Sequence, residues 1–178
     1  SDRVELTMNL KKKQRLILWI RKPDWADKAT LIINGKAEQL LLGNDGYWMI
    51  DKVWNRKNRI SLQLPMHTYT ENLIGTGRYV ALLYGPYVLA GRMGKENLPS
   101  TFWGKMNNTA MNKMDLSKVP VFNIPATQIP DHVEPVFERG TLRFNIHLKG
   151  FENVVLEPFY KIHFERYAIY WPTASSNE

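Results

Sequence analysis

The chain has 178 residues, 44% of them apolar and 23% charged, which is globular composition and not that of a disordered segment. It suffices for one domain or two small ones, and it can bury on the order of 70% of its unfolded surface without staples. No run approaches the roughly 18 apolar residues of a membrane span, and no signal peptide is visible. The absence of cysteine excludes disulfides, thiolate zinc sites and cysteine nucleophiles. A net charge of +7 raises nucleic acid as a partner, but the basic residues are scattered and only Lys11-Lys12-Lys13 is dense. That run lies between two strand-like segments and reads as a solvated turn, so neither nucleic acid nor a membrane is expected to bind. Opening on Ser1 and not Met, the sequence is expected to be a processed protein or a piece of a longer one.

Val4, Leu6, Met8 and Leu10 alternate with polar residues, the pattern of a half-buried strand. Gln14 to Arg21 (QRLILWIR) is apolar on both faces and reads as a central strand, ended by Pro23. Trp25 follows where it can cap the open end of a sheet. Ala29 to Ile33 meets Asn34-Gly35, the strongest short hairpin signal, because both residues tolerate the positive φ of a type I′ turn. A return strand is expected from about Lys36 to Leu42, then a short strand from Tyr47 to Ile50. The polar turn Asn55 to Asn58 leads into Ile60, Leu62 and Leu64, closed by Pro65. Up to this point no convincing helix occurs.

His67 to Gly77 reads as a loop delivering the chain into Arg78 to Arg92 (RYVALLYGPYVLAGR), its most apolar stretch. The Gly85-Pro86 hinge there predicts a bulge, a bend or a corner between sheets. Periodicity vanishes from Gly94 to Lys118, which reads as a long irregular loop. Pro120 to Ile124 predicts a short strand, Leu142, Phe144, Ile146 and Leu148 alternate, and Lys161 to Trp171 predicts a long aromatic strand. The fold class that follows is all-β, an antiparallel, jelly-roll-like β-sandwich. Three regions are expected: 1–92 as a β-sandwich, 93–118 as the irregular loop, and 119–178 as a β-rich module completing or extending the sandwich.

Residues with chemistry are sparse. Asp45 with Asp51, or Glu134 with Glu138, could form an acid–base pair for a glycosidic bond, but these acids lie in turns or on strand surfaces. His163 and Glu165, two apart on the expected aromatic strand, would share a face and could share a metal or a proton; the plainer reading is a surface hydrogen bond. His67, His132 and His147 lack ligand spacing, and no nucleophile elbow or phosphate loop is present. Six Trp, eight Tyr and seven Phe remain. Trp19, Trp48 and Trp171 fall within strand patterns and are expected in the core. Trp103, in the polar loop, either folds back onto the domain or faces a ligand or neighbouring domain.

Several segments in order carry a resemblance: Leu16 to Ala26 (LILWIRKPDWA), Ile33-Asn34-Gly35-Lys36, Gly46-Tyr47 ahead of Trp54, and Leu64-Pro65-Met66. Val80 to Gly91 and Leu156 to Trp171 (LEPFYKIHFERYAIYW) continue the series. Together they resemble the C-terminal β-sandwich region of glycoside hydrolase family 127, the β-L-arabinofuranosidase type also called domain of unknown function 1680. The closing segments are similar to the extra module, domain of unknown function 4986, of members from Bacteroides-type gut bacteria. One departure is the turn Asn55 to Asn58, where the family usually has Gly-Asp.

The resemblance implies a catalytic α/α-barrel upstream, with active-site glutamates and a cysteine-rich zinc site, none of which can be placed on this chain. It therefore implies a non-catalytic region that packs against that barrel, with no cofactor of its own and with a homodimer contact as a further role. The parent would be a glycoside hydrolase acting on plant-type glycans, in the periplasm or secreted. The alternative is an autonomous carbohydrate-binding module, with Trp103 and Trp25 as the residues that would stack on sugar.

Overall fold

The structure, a computed structural model, describes residues 2–75, 77–95, 119–138 and 140–174. It divides into two compact units, Ser1–His67 and Thr68–Glu178. The break falls earlier than the Arg92 boundary expected from the sequence, so the apolar stretch 78–92 belongs to the second unit.

The first unit is an antiparallel sandwich. One sheet has the order β1 (Arg3–Asn9), β7 (Lys57–Gln63), β3 (Thr30–Ile33), β4 (Lys36–Glu38). The other runs β2 (Gln14–Arg21), β6 (Tyr47–Trp54), β5 (Leu41–Leu42). Leu31, Ile33, Ile60 and Leu62 of the first sheet meet Trp48, Ile50 and Trp54 of the second in one buried cluster. Each such side chain contributes about 1.5–3 kcal/mol by leaving water. The indole N–H of the fully buried Trp54 donates to the Leu16 carbonyl at 2.9 Å, so its polar atom is satisfied.

The hairpin at Asn34-Gly35 forms as the sequence predicts, with φ of 52° and 81°. The departing turn at 55–58 is organised by Asn58, which is buried. Its side-chain oxygen accepts from the Asn55 N–H at 3.1 Å and its amide donates to the Asn55 carbonyl at 2.7 Å. Asn34 in turn accepts from the Arg59 N–H at 2.8 Å, tying the two turns together.

Three expectations for this unit are corrected. The return strand splits: β4 pairs with β3, whereas β5 has crossed to the other sheet and pairs with β6. The short strand at 47–50 extends to Trp54. And β2 is an edge strand of its sheet, not a central one.

The second unit holds one curled sheet with the order β11 (Val133–Glu138), β12 (Thr141–Ile146), β13 (Val155–Pro158), β10 (Tyr87–Arg92), β9 (Tyr79–Tyr84), β15 (Tyr170–Pro172). The strand β8 (Thr68–Asn72) pairs with β9, and β14 (Tyr167–Ala168) with β10. Val80, Leu82, Leu89, Phe144 and Leu156 from the sheet pack with Phe122, Phe151, Ile129 and Trp171. Phe122 and Phe151 stack at 4.3 Å, and both rings contact Trp171. As expected, the 78–92 stretch is central to this packing.

The Gly85-Pro86 hinge is a different device from the one predicted. Tyr84 pairs with Tyr87, so β9 and β10 form a two-residue hairpin within one sheet, and the chain turns no corner between sheets. Gly85 has φ of 52°, the positive value required at the first position of a type II′ turn. The expected loop 67–77 contains β8. The segment 120–124 makes only an isolated bridge, Phe122 to Thr173. The long strand expected at 161–171 is broken. A 3₁₀ turn at Phe159–Lys161 precedes it, and Phe164 sits at φ 60°, which interrupts β pairing until Tyr167.

Two glycines can be tested by urea unfolding of the second unit. Gly85→Val forces a β-branched residue to positive φ and is expected to cost about 1–2 kcal/mol. A Cβ on Gly91 would lie 2.5 Å from the Trp171 ring, so Gly91→Ala is expected to cost about 1–3 kcal/mol by overpacking. Unchanged unfolding midpoints would contradict the hairpin and the Gly91–Trp171 contact respectively.

Candidate functional site

The densest group of charge in the described residues surrounds Glu157. This carboxylate lies on β13 and is only 3% exposed. Arg143, directly across on β12, donates from Nε at 2.9 Å, and Arg92 on β10 donates from Nη2 at 2.8 Å. The other guanidinium nitrogen of Arg92 reaches Glu165 at 2.5 Å. Sequence reasoning missed this cluster because its members come from separate strands and share no spacing motif. Burial opposes ionisation of Glu157, but the hydrogen bonds from Arg92 and Arg143, with their charges, outweigh it and hold the carboxyl below the usual glutamate range. A carboxylate so held keeps its charge and is a poor proton donor near neutral pH.

The strands β10 and β14 and the 3₁₀ turn after β13 carry two aromatic pairs. Phe159 and Tyr167 contact at 4.8 Å and Tyr87 and Tyr160 at 5.8 Å, with interplanar angles of 54° and 47°. Phe164 is exposed, with His163 against its ring. The tilts mean that these rings do not share one plane. The expected His163–Glu165 pairing on a strand is not what forms, because 162–166 is not a strand; Glu165 instead faces Arg92.

The other candidates disperse. Asp51 is held by Arg15 through two hydrogen bonds of 2.9 and 2.7 Å, and Asp45 accepts from the Tyr47 N–H. Glu134 contacts His147 at 2.9 Å. No three His, Asp or Glu side chains among the described residues come together as a metal site requires. Trp25 is half-buried against the core of the first unit, consistent with capping that sheet. Trp103 lies outside the described residues. Trp48 and Trp171 are buried as expected, whereas Trp19 is 48% exposed, because its face of β2 is the one turned away from the core. No helix among the described residues is long and apolar enough to cross a membrane.

With this geometry in hand, comparison with known proteins is specific. The model of DUF4986, a domain of unknown function, matches residues 69–173. The chain belongs to that family. The model described as beta-L-arabinofuranosidase, GH127 middle domain, matches residues 1–66. The two matches meet at the break between the two units. The ordered motifs pointed to this hydrolase family and, for the closing segments alone, to DUF4986, whose match begins earlier and takes in Val80 to Gly91.

Among solved structures, a GH127 beta-L-arabinofuranosidase from Geobacillus stearothermophilus T6 aligns with 97% of this chain at 16% identity and a TM-score of 0.67. A protein described as a glycoside hydrolase aligns with 98% at 15% identity and a TM-score of 0.59. A GH127 beta-arabinofuranosidase aligns with 96% at 14% identity and a TM-score of 0.55. These likenesses establish the shared all-β fold. The chain spans 29%, 30% and 30% of those structures respectively, so it corresponds to a part of longer polypeptides. No curated protein matches.

In the DUF4986 unit, the depressed Glu157 carboxyl links stability to pH. Its contribution is fully present above the ordinary glutamate value of about 4.3 and is lost as pH falls through that value towards the folded one. Glu157→Gln is expected to cost about 1.5–3 kcal/mol at neutral pH, the worth of charged hydrogen bonds. That gap should narrow as pH falls below about 4.3, where the unfolded chain takes up the proton that the folded carboxyl still resists. Urea titrations at several pH values read it directly; a gap that stays constant down to pH 3 would contradict the clamp.

Proposed function

We propose that this chain is a non-catalytic β-sandwich region of a GH127-type glycoside hydrolase, whose chemistry is performed by a catalytic domain elsewhere in the same polypeptide. The observation that carries this reading is the match of residues 1–66 to a middle domain, followed directly by the DUF4986 match. A middle domain implies sequence before it, and the solved structures similar to this chain are mostly made of residues outside the aligned part. The electrostatics support the same reading. Retaining and inverting glycosidases need one carboxyl able to donate a proton, whereas the buried carboxylate here is locked between two guanidiniums.

Its role is then to support the catalytic domain by packing, in a polypeptide that acts on arabinofuranosides of plant-type glycans. A second reading, direct sugar binding, is favoured by one observation: Tyr160, Phe164 and Tyr167 are all exposed on the second unit, Tyr160 tilted against Tyr87 and Tyr167 against Phe159. Their tilted rings offer separate stacking faces and not a flat platform. Calorimetry with arabino-oligosaccharides, repeated with Tyr160→Ala, decides between the two.

The 178-residue chain alone is expected to release no arabinose from aryl β-L-arabinofuranosides above the uncatalysed rate, while the full polypeptide turns them over. Turnover by the chain alone would overthrow the non-catalytic reading.

A further inference from the structure

The two outer faces of the first unit are built from opposite chemistry. On the sheet containing β1 and β7, the outward row is Arg3, Glu5 and Thr7 against Gln63, Ser61 and Arg59. Arg3 pairs with Glu5 at 2.5 Å and donates to Ser61 at 2.9 Å, and Arg59 approaches Glu5 at 4.0 Å. This row is made for water, with Ile32 of β3, exposed opposite Ser61, the apolar residue beside it.

The sheet of β2, β6 and β5 carries apolar side chains on both sides. Its inner row, Leu18, Ile20, Trp48 and Ile50, belongs to the core. Its outer row sets Ile17 and Trp19 beside Met49 and Val53, with Leu41 opposite Met49 and Tyr47 at the end. Ile17, Trp19, Leu41 and Val53 are 49%, 48%, 52% and 52% exposed. One ion pair, Arg15–Asp51, crosses this row with its two partners satisfying each other, and the exposed Arg21 ends it opposite Tyr47. Among the described residues β2 pairs with β6 alone, so its other edge also presents backbone groups.

A sandwich needs only one apolar face per sheet. A second apolar row, on an edge strand, is the pattern of a sheet covered on both sides, and left bare it invites edge-to-edge association. Contiguous apolar surface of this kind marks an interaction site.

We infer that the outer face of β2, β6 and β5 is the docking surface for the domain that precedes this region in the same polypeptide. This rests on the reading of the chain as a middle and C-terminal region. Two observations select that occupant. The similar solved structures consist mostly of residues outside the aligned part, which supplies a large body of chain to cover the face. The charges on the face are few, the mutually satisfied Arg15–Asp51 pair and Arg21 at one end, and a permanent contact within one chain needs no electrostatic steering. A sugar is poorly matched, because the polar groups of the row are confined to the self-satisfied Arg15–Asp51 pair and, at one end, Arg21 opposite Tyr47.

The test uses the full polypeptide with Val53 replaced by the photo-crosslinker p-benzoylphenylalanine, and a control with the same replacement at Thr7 on the polar face. After irradiation, position 53 should crosslink within one molecule to peptides preceding Ser1, at a yield independent of protein concentration and at least five-fold above that of position 7. Crosslinks joining two molecules, crosslinks to residues 68–178, or a yield no higher than at position 7 would each overturn the assignment. An arabinofuranosidase assay on the same samples separates the two readings. Activity without the crosslink sinks only the docking surface; the crosslink without activity sinks only the enzyme reading.

Discussion

A β-sandwich buries two sheet faces and leaves two in water, and the first unit equips only one of those for water. The rest of its design follows from that constraint. The sheet of β1 and β7 places Leu31, Ile33, Ile60 and Leu62 inward and mostly polar side chains outward, with Ile32 of β3 the apolar exception opposite Ser61. The sheet of β2 and β6 places Trp48, Ile50 and Trp54 inward and a second apolar row outward. Stability of the unit alone requires only the inner rows, so the outer one is surplus to folding and points to something beyond the fold.

The second unit solves a different problem, that of closing a curled sheet over a large aromatic core. Gly91 is the permissive point: with no Cβ, β10 lets the Trp171 ring lie against its backbone, and β15 can then pair with β9. Away from that core, the Arg92–Glu157–Arg143 clamp joins β10, β13 and β12, and Arg92 extends it to Glu165. Buried pairs of this type are weak evidence for net stability but costly to break from one side. Here they fix which strands are neighbours. Neither device resembles a reaction centre.

Much of this was legible from the residues. The Asn34-Gly35 hairpin, the alternation in β1, β7 and β12 and the burial of 78–92 all follow from period and turn chemistry. What was hidden has physical causes. A run such as LILWI carries no polar residue to say which face is covered, so it could not reveal an edge strand or an exposed Trp19. Gly85-Pro86 is compatible with a bulge or a turn, and only the pairing of Tyr84 with Tyr87 distinguishes them. Pro135 masked β11, although an edge strand tolerates proline because one side of it is unpaired. Positive φ at Phe164 is no property of phenylalanine, so the break in the last aromatic segment had no local signal. The Glu157 clamp joins residues 14 and 65 apart in the chain, beyond any motif.

The central claim is that this region serves its polypeptide by packing and not by chemistry. It is tested most directly by calorimetric melting of the full polypeptide carrying Ile17→Lys and Val53→Lys together. The account predicts a lower melting temperature for the catalytic domain, with KM for an aryl arabinofuranoside unchanged at temperatures where everything is folded. A catalytic domain that melts as in the parent, or a KM that rises while melting is unaffected, would contradict it.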